Sequence, residues 1–462
     1  MAMKITVGRV FGALVALGIV GGVGAWLATV AFGNIGGDPG KELDIAITPE
    51  LITKGAYVAR LGDCAACHTA PGRKDFAGGL PLETPIGAVF STNITPDVRS
   101  GIGNYSYGDF ERAVRRGILP DGSSLYPAMP FPSYAKLTDD DVKALYAFFM
   151  QDVTAVADQN RSADIPWPMS MRWPLTYWRW VFGPAVKEAA ANAAADPVLE
   201  RGAYLVEGPG HCGSCHTPRG LGLQEKALSA ADGPDYLSGG FIDNHVANNL
   251  RGDPVTGLGS WSEEDIVQFL QTGRNDKSAA FGGMADVVRH STQYMTEEDL
   301  TAIARFLKSL PPASDEQKVA KLEDDTEAML AAADVSRPGA LDYLNNCAAC
   351  HLSSGKGYSE TFPALAGNPV VNAKDPTSVV HIILKGDTMP STLKAPTDFA
   401  MPGFANRLTD QEIADIASFV RSSWGNTGPA VTPNEVAGIR SAVGAEPTVR
   451  TLTLNPDKGE KP

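Results

Sequence analysis

Apolar positions recur with a helical period at three widely spaced places in the chain. In LTDDDVKALYAFF, Val142, Leu145, Tyr146 and Phe149 fall at i, i+3, i+4 and i+7. That spacing predicts an amphipathic helix with one face for a core. Leu300, Ile303 and Leu307 repeat the stripe after Met295, and Ile413, Ile416 and Val420 repeat it after Leu408. Each stripe opens with Thr and an acid three residues on: Thr138/Asp141, Thr296/Asp299 and Thr409/Glu412. The Thr oxygen accepts from an otherwise unpaired N–H and the carboxylate bonds back, so three capping boxes are expected.

Upstream of each helix lies a second recurring segment. These are GAYVARLGDCAACHTA from Gly55, GAYLVEGPGHCGSCHTP from Gly202 and ALDYLNNCAACHLS from Ala340. Their first Cys residues stand 148 and 135 residues apart, steps that suit domains and are too long and unequal for a solenoid. Each unit reads as a first helix, a Cys-x-x-Cys-His turn, a long loop and a capped last helix. Strand signals are weak, so the chain is expected to be mainly α. The pattern divides it into 1–43, an N-terminal anchor or signal with its linker, and units at 44–155, 196–313 and 334–428. Between them lie a Trp-rich connector at 156–195 and a linker at 314–333. A tail at 429–462 lacks a long periodic pattern and is expected to be an extended arm or partly disordered.

One stretch is apolar all round. Val10–Phe32 holds 23 residues without a charge, preceded by Lys4 and Arg9. At 1.5 Å per residue it is long enough to cross a hydrocarbon layer of about 30 Å, and the two cations favour a cytoplasmic N-terminus. A cleaved signal is the alternative, with Thr29-Val30-Ala31 a weak cleavage site. The expectation is a transmembrane helix that holds the rest on the periplasmic side of the inner membrane.

Composition narrows the function class. Lys and Arg total 39 against 53 Asp and Glu, a net charge of −14, which disfavours nucleic-acid binding because phosphate contacts need a basic footprint. All six Cys fall in the three motifs, as Cys64/Cys67, Cys212/Cys215 and Cys347/Cys350, followed by His68, His216 and His351. No Cys is left to complete a zinc site, and a redox dithiol does not call for His at the next position three times over. Two thiols three positions apart match the two vinyl groups of one haem, with the adjacent His facing the iron. The motif is that of covalent haem c attachment. The expected architecture is three tandem cytochrome c-type haem domains behind an N-terminal transmembrane helix.

The iron's other face needs a ligand. Met129 in YPAMPFP, Met284 in FGGMADVV and Met401 in FAMPGF are each expected to sit in a Gly- or Pro-rich loop ahead of a capped helix, and are the axial candidates. Met295 stands where Leu137 and Leu408 stand and is expected to pack. Met389 in GDTMPST is the rival of Met401. His211, His245, His290 and His381 are expected to be ordinary loop or surface residues. A Met closing each iron disfavours an autonomous peroxidase-like enzyme.

The strings YVARLGDCAACHTA, STNITPD, YPAMPFPSY, GPGHCGSCHTPRG and MPGFANRLTDQEIA resemble the three-haem cytochrome c subunit of membrane-bound dehydrogenases of acetic acid bacteria. The resemblance runs from about Ile52 to Asn426. It implies a periplasmic complex in which a large molybdenum or quinoprotein subunit oxidises an aldehyde or alcohol, with a small subunit as a further partner. Three haems of this chain would pass the electrons to ubiquinone in the membrane. The apparent anchor and short tail tilt the expectation toward the aldehyde enzyme. Ile165–Phe182 holds four of the seven Trp, together with Arg172 and Arg179. It is a candidate interfacial segment and a candidate wall of a quinone slot, or else a patch packed on a haem or partner. The competing function is a tethered multihaem carrier that feeds a terminal oxidase without a quinone site.

Overall fold

The computed structural model describes residues 20–29, 31, 45–186, 196–314 and 324–444. In the first unit, α1 (Pro49–Leu61), α2 (Tyr107–Arg116) and α3 (Asp139–Gln151) surround one apolar core that includes Val58, Phe110, Leu145 and Phe149. A connector helix, α4 (Pro174–Phe182), follows. The second unit has α5 (Pro197–Glu207), α6 (Glu263–Thr272), α7 (Gly283–His290) and α8 (Glu297–Ser309) around Leu205, Trp261, Leu300 and Phe306. The third has α9 (Ala340–Asn346), α10 (Thr377–Lys385) and α11 (Asp410–Arg421) around Tyr343, Val380, Ile416 and Trp424. Burying each such side chain stabilises the fold by roughly 1.5–3 kcal/mol.

In every unit the first helix packs across the last, and a glycine permits the approach. A Cβ on Gly55 would stand 1.9 Å from the Ala144 carbonyl oxygen, and one on Gly202 would stand 2.0 Å from that of Ala302. A Cβ on Gly339 would meet the Asp415 oxygen at 2.2 Å. The repeated Gly of the sequence is therefore the crossing point of two backbones.

Three short antiparallel ribbons accompany the helices. They are β1 (Pro81–Thr84) with β2 (Gly87–Phe90), β3 (Gly240–Ile242) with β4 (His245–Ala247), and β5 (Gly386–Thr388) with β6 (Ala400–Pro402). At three or four residues each, they are too short to show a two-residue period in the sequence. The long loops also contain helices. Ser106/Asp109 and Ser262/Asp265 form complete capping boxes at α2 and α6.

Two expectations are corrected. Among the described residues no helix is long and apolar enough to cross a membrane. Within the apolar run, residues 20–29 are helical. The remainder, apart from residue 31, lies outside the described residues, so anchoring in the inner membrane by an N-terminal spanning helix is not supported. The tail also differs from an extended arm. Its first part forms α12 (Pro433–Gly444), with Thr432 and Glu435 bonded to each other at its start. Val436 is fully buried in the third core, and Arg440 reaches Asp410 at 2.7 Å and the Leu408 carbonyl at 2.9 Å. Val436, Ile439 and Val443 stand at i, i+3 and i+7, one short apolar stripe that docks this helix together with Arg440.

The second unit touches both others. Toward the first, the junction is reciprocal. The Tyr57 hydroxyl of α1 donates to Asp299 Oδ2 of α8 at 2.7 Å, and the Tyr204 hydroxyl of α5 donates to Asp141 of α3. Arg201 holds Asp299 through two bonds of 2.8 Å, and Lys54 meets Asp141 at 2.7 Å. Leu61 is buried in the second core while Tyr204 packs against the first. Toward the third unit, Ser378 of α10 bonds both backbone groups of Val246, Gln268 reaches Glu360 at 2.7 Å and Ser359 reaches Asp276 at 2.6 Å.

Candidate haem centres

Each Cys-x-x-Cys-His motif forms a short helical turn at the end of its unit's first helix. The turns are Cys64–His68, Gly213–His216 and Ala348–His351. All six Cys are free and half-buried. Burial pushes the thiols of Cys64, Cys67, Cys212, Cys215 and Cys347 up to about 12.

The three histidines share one device. His68 Nδ1 lies 2.6 Å from the Thr92 carbonyl oxygen, His216 Nδ1 lies 2.7 Å from that of Asn248, and His351 Nδ1 lies 3.0 Å from that of Pro363. A carbonyl oxygen only accepts, so each Nδ1 carries the proton and each Nε2 keeps a lone pair for a metal. Burial lowers the pKa of all three rings, which favours the neutral form a ligand requires. The sequence held no signal for these three anchors, because they are backbone carbonyls whose side chains are irrelevant to the bond.

Of the six buried side-chain polar atoms without a hydrogen-bond partner among the described residues, three are arginine Nε atoms (Arg112, Arg115 and Arg172) and three stand beside the first two motifs: Asp63 Oδ1, Tyr236 Oη and Asn248 Oδ1. Asp63 precedes Cys64 in a left-handed conformation (φ 49°). Burial holds its carboxyl well above the usual range, with Asp286 adding to the effect and Arg60 opposing it. Tyr236 lies against Gly213. Orphaned groups around two thiols and a metal-ready imidazole fit a ligand with polar edges, as haem is. Among the described residues no cluster of His, Cys, Asp and Glu suits a bare metal ion.

The methionines are placed differently from one another. Met129 is half-buried in the turn before Phe131 and packs on the core that Cys64 also flanks. Met401 sits on β6 and packs on the core that Cys347 flanks. Met284 is not in a loop. It is the second residue of α7, which lies against the Cys64–His68 turn of the first unit. Met295 is buried in the second core, as its place before the capped helix implies. Met389 follows β5, its N–H bonding the Phe399 carbonyl at 3.0 Å.

The other histidines are less ordinary than the sequence suggests. The His211 ring stands 5.7 Å from Tyr134, whose hydroxyl donates to the Gly62 carbonyl at 2.6 Å, so this pair links the first two motifs. The His290 carbonyl accepts from Arg60 at 3.2 Å. His245 and His381 stack at 4.1 Å. In the connector, Trp178 donates to the Gly222 carbonyl at 2.7 Å and Tyr177 to that of Ala25 at 2.9 Å.

Helical units built on a Cys-x-x-Cys-His turn with a carbonyl-anchored histidine define a c-type cytochrome. The Cytochrome c family profile matches residues 199–311 and 336–424. The chain is 54% identical over 403 residues to the cytochrome c subunit of the quinone alcohol dehydrogenase of Gluconacetobacter polyoxogenes, covering 86% of each protein. It is 52% identical over 418 residues to the gluconate 2-dehydrogenase cytochrome c subunit of Pantoea cypripedii, covering 90% of this chain and 93% of that one. It is 36% identical over 431 residues to the fructose dehydrogenase cytochrome subunit of Gluconobacter japonicus, covering 88% and 86%. The chain belongs to the family of cytochrome c subunits of dehydrogenase complexes, whose work is electron transfer.

Proposed function

We propose that the chain carries three covalent haems c, one in each of the units 44–155, 196–313 and 334–428, and relays electrons from a catalytic dehydrogenase subunit to ubiquinone. The observation that carries this is the threefold recurrence of a Cys pair beside an imidazole whose Nδ1–H is spent on a backbone carbonyl. Cys64 and Cys67, Cys212 and Cys215, and Cys347 and Cys350 are the thioether sites. His68 with Met129, His216 with Met284, and His351 with Met401 are the axial pairs. A haem iron so held takes and gives one electron, and a thioether ligand raises its potential. The chain's residues do the rest: the carbonyl anchors orient each imidazole, and the helical cores exclude water. Substrate oxidation belongs to a separate large subunit. The names of the relatives speak for an alcohol or gluconate partner more than for the aldehyde enzyme.

Support for a quinone comes from a cavity of about 310 Å³ between the first and second units. Pro127, Pro130, Trp178 and Phe182 form an apolar wall, and Arg219, Gln224 and Lys226 supply donors beside the carboxyls of Glu225 and Asp232. Such a lining suits a flat ring with carbonyl oxygens. Its rim continues into exposed Val181, Leu221 and Leu223, with Trp167 and Met169 exposed on the same connector, an apolar surface suited to lipid. A pyridine haemochrome assay of the mature protein should return three haems per chain, and a count of two or fewer ends the three-haem reading. Purified complex should reduce a short-chain quinone, and Trp178→Ala should impair that step while leaving haem reduction by substrate intact. Quinone reduction unaffected by this change would favour a carrier without a quinone site.

A further inference from the structure

The junction between the second and third units joins the two segments that carry Met284 and Met401. Asp387 lies in the middle of β5, and Met401 is its register partner on β6. The Asp387 Oδ2 accepts from the Gly282 N–H at 2.6 Å, two residues from Met284 and at the N-cap of α7. A carboxylate bonded to an N–H at the positive end of a helix is a charge-assisted contact. Gly282 takes φ 55° with ψ −140°, and a Cβ there would stand 3.0 Å from His245 Cε1 and Nε2. No other residue fits this position without strain.

Beside that bond stands the imidazole stack. The His245 and His381 ring centroids are 4.1 Å apart with planes inclined by 25°. His381 is 4% exposed. Its Nδ1 is 2.9 Å from the Asn244 carbonyl, while His245 Nδ1 is 2.8 Å from that of Asp243. Phe281 closes the other side of His245 at 5.7 Å. The two rings come from different units, β4 and α10, and they fill the space directly behind Gly282.

We infer that Asp387 is a positioning residue that clamps the Met284 and Met401 segments to each other, with the His245–His381 stack as their spacer. Haems two and three then share one set of axial supports, and loosening the clamp weakens the thioether ligand at both. The inference rests on the proposed assignment of Met284 and Met401 as axial ligands. Groups that orient a metal's ligands typically change ligation by roughly 10–100-fold when removed.

The test is imidazole displacement of methionine in the ferric holoprotein, followed by the methionine–iron charge-transfer band. Asp387→Ala should raise the apparent imidazole affinity about tenfold at two haems and leave the third unchanged. Asp387→Asn, which retains an acceptor oxygen, should restore most of the wild-type affinity. His245→Ala loosens the spacer from the second unit's side and should act on the same two haems, so the test survives a local collapse of the β5–β6 ribbon. A change confined to one haem, or none, in both alanine variants overturns the clamp. Wild-type protein without methionine–iron bands at these haems would instead overturn the axial assignment itself.

Discussion

Removal of a single oxygen at the first junction tests how the units are held. The Tyr57 hydroxyl does two things: it donates to Asp299 Oδ2 at 2.7 Å and accepts from the Thr296 N–H at 3.1 Å. Asp299 is 7% exposed, so the variant Tyr57→Phe leaves a buried carboxylate with only Arg201, while the exposed cap N–H turns to water. A hydrogen bond to a charged group contributes about 1.5–3 kcal/mol. The expected destabilisation is roughly 1.5–3 kcal/mol, since the phenyl ring retains its packing. For a cooperative unit of about 150–250 residues this lowers Tm by about 3–12 °C. Scanning calorimetry of the holoprotein reads that shift. A double-mutant cycle with Asp299→Asn should show that the two losses overlap. If Tyr57→Phe costs less than about 0.5 kcal/mol, like an ordinary surface change, the hydroxyl is not the bridge described and the reciprocal junction is misread.

The same junction should respond to acid. Burial raises the Asp299 pKa, but the bonds from Arg201 and Tyr57 outweigh it and hold the carboxyl below its ordinary value. A depressed carboxyl contributes stability above its unfolded pKa and loses it as pH falls through the folded one, so Tm should drop below about pH 4 in wild type and less in Asp299→Asn. Gly55→Ala pushes a methyl into the Ala144 carbonyl and should cost at least about 1–3 kcal/mol in a denaturant titration; near-neutral behaviour would refute the crossing geometry. Arg421 is fully buried and donates to the carbonyls of Pro429, Val371, Ala373 and Lys374, so Arg421→Leu strands four acceptors and should lose about 3 kcal/mol or more, seen as early melting of the third unit. On the proposed axial assignment, Met129→His should lower the potential of one haem in a spectroelectrochemical titration and leave two in place.

The chemistry of the haem motifs was legible because it is local. Two Cys and a His within five residues carry their meaning in any surroundings, and so do the apolar stripes of α3, α8 and α11 with their Thr caps. The family could be read from the same strings, and the relatives agree. The apolar N-terminal run, by contrast, invited a spanning helix on length alone, and among the described residues no helix is long and apolar enough to cross a membrane.

The three Thr–acid pairs show where local reading stops. In sequence they are alike, and each Thr does accept from the N–H three residues on. Only Glu412 bonds back to its Thr, at 2.7 Å. Asp141 and Asp299 instead turn to Tyr204 and Tyr57 of the opposite unit, and in the second unit the Tyr hydroxyl takes the Thr296 N–H in the carboxylate's place. The acid's position was written in the chain, but its partner was decided by which surface arrived. The same holds for the carbonyls of Thr92, Asn248 and Pro363 and for the Asp387–Gly282 clamp. Their partners lie 12 to 105 residues apart, so no short-range pattern could encode them. Sequence alone named the groups that could do chemistry, because that reading depends on covalent neighbours. Tertiary packing settled how they are aimed and joined, because burial and hydrogen bonding depend on residues far away in the chain.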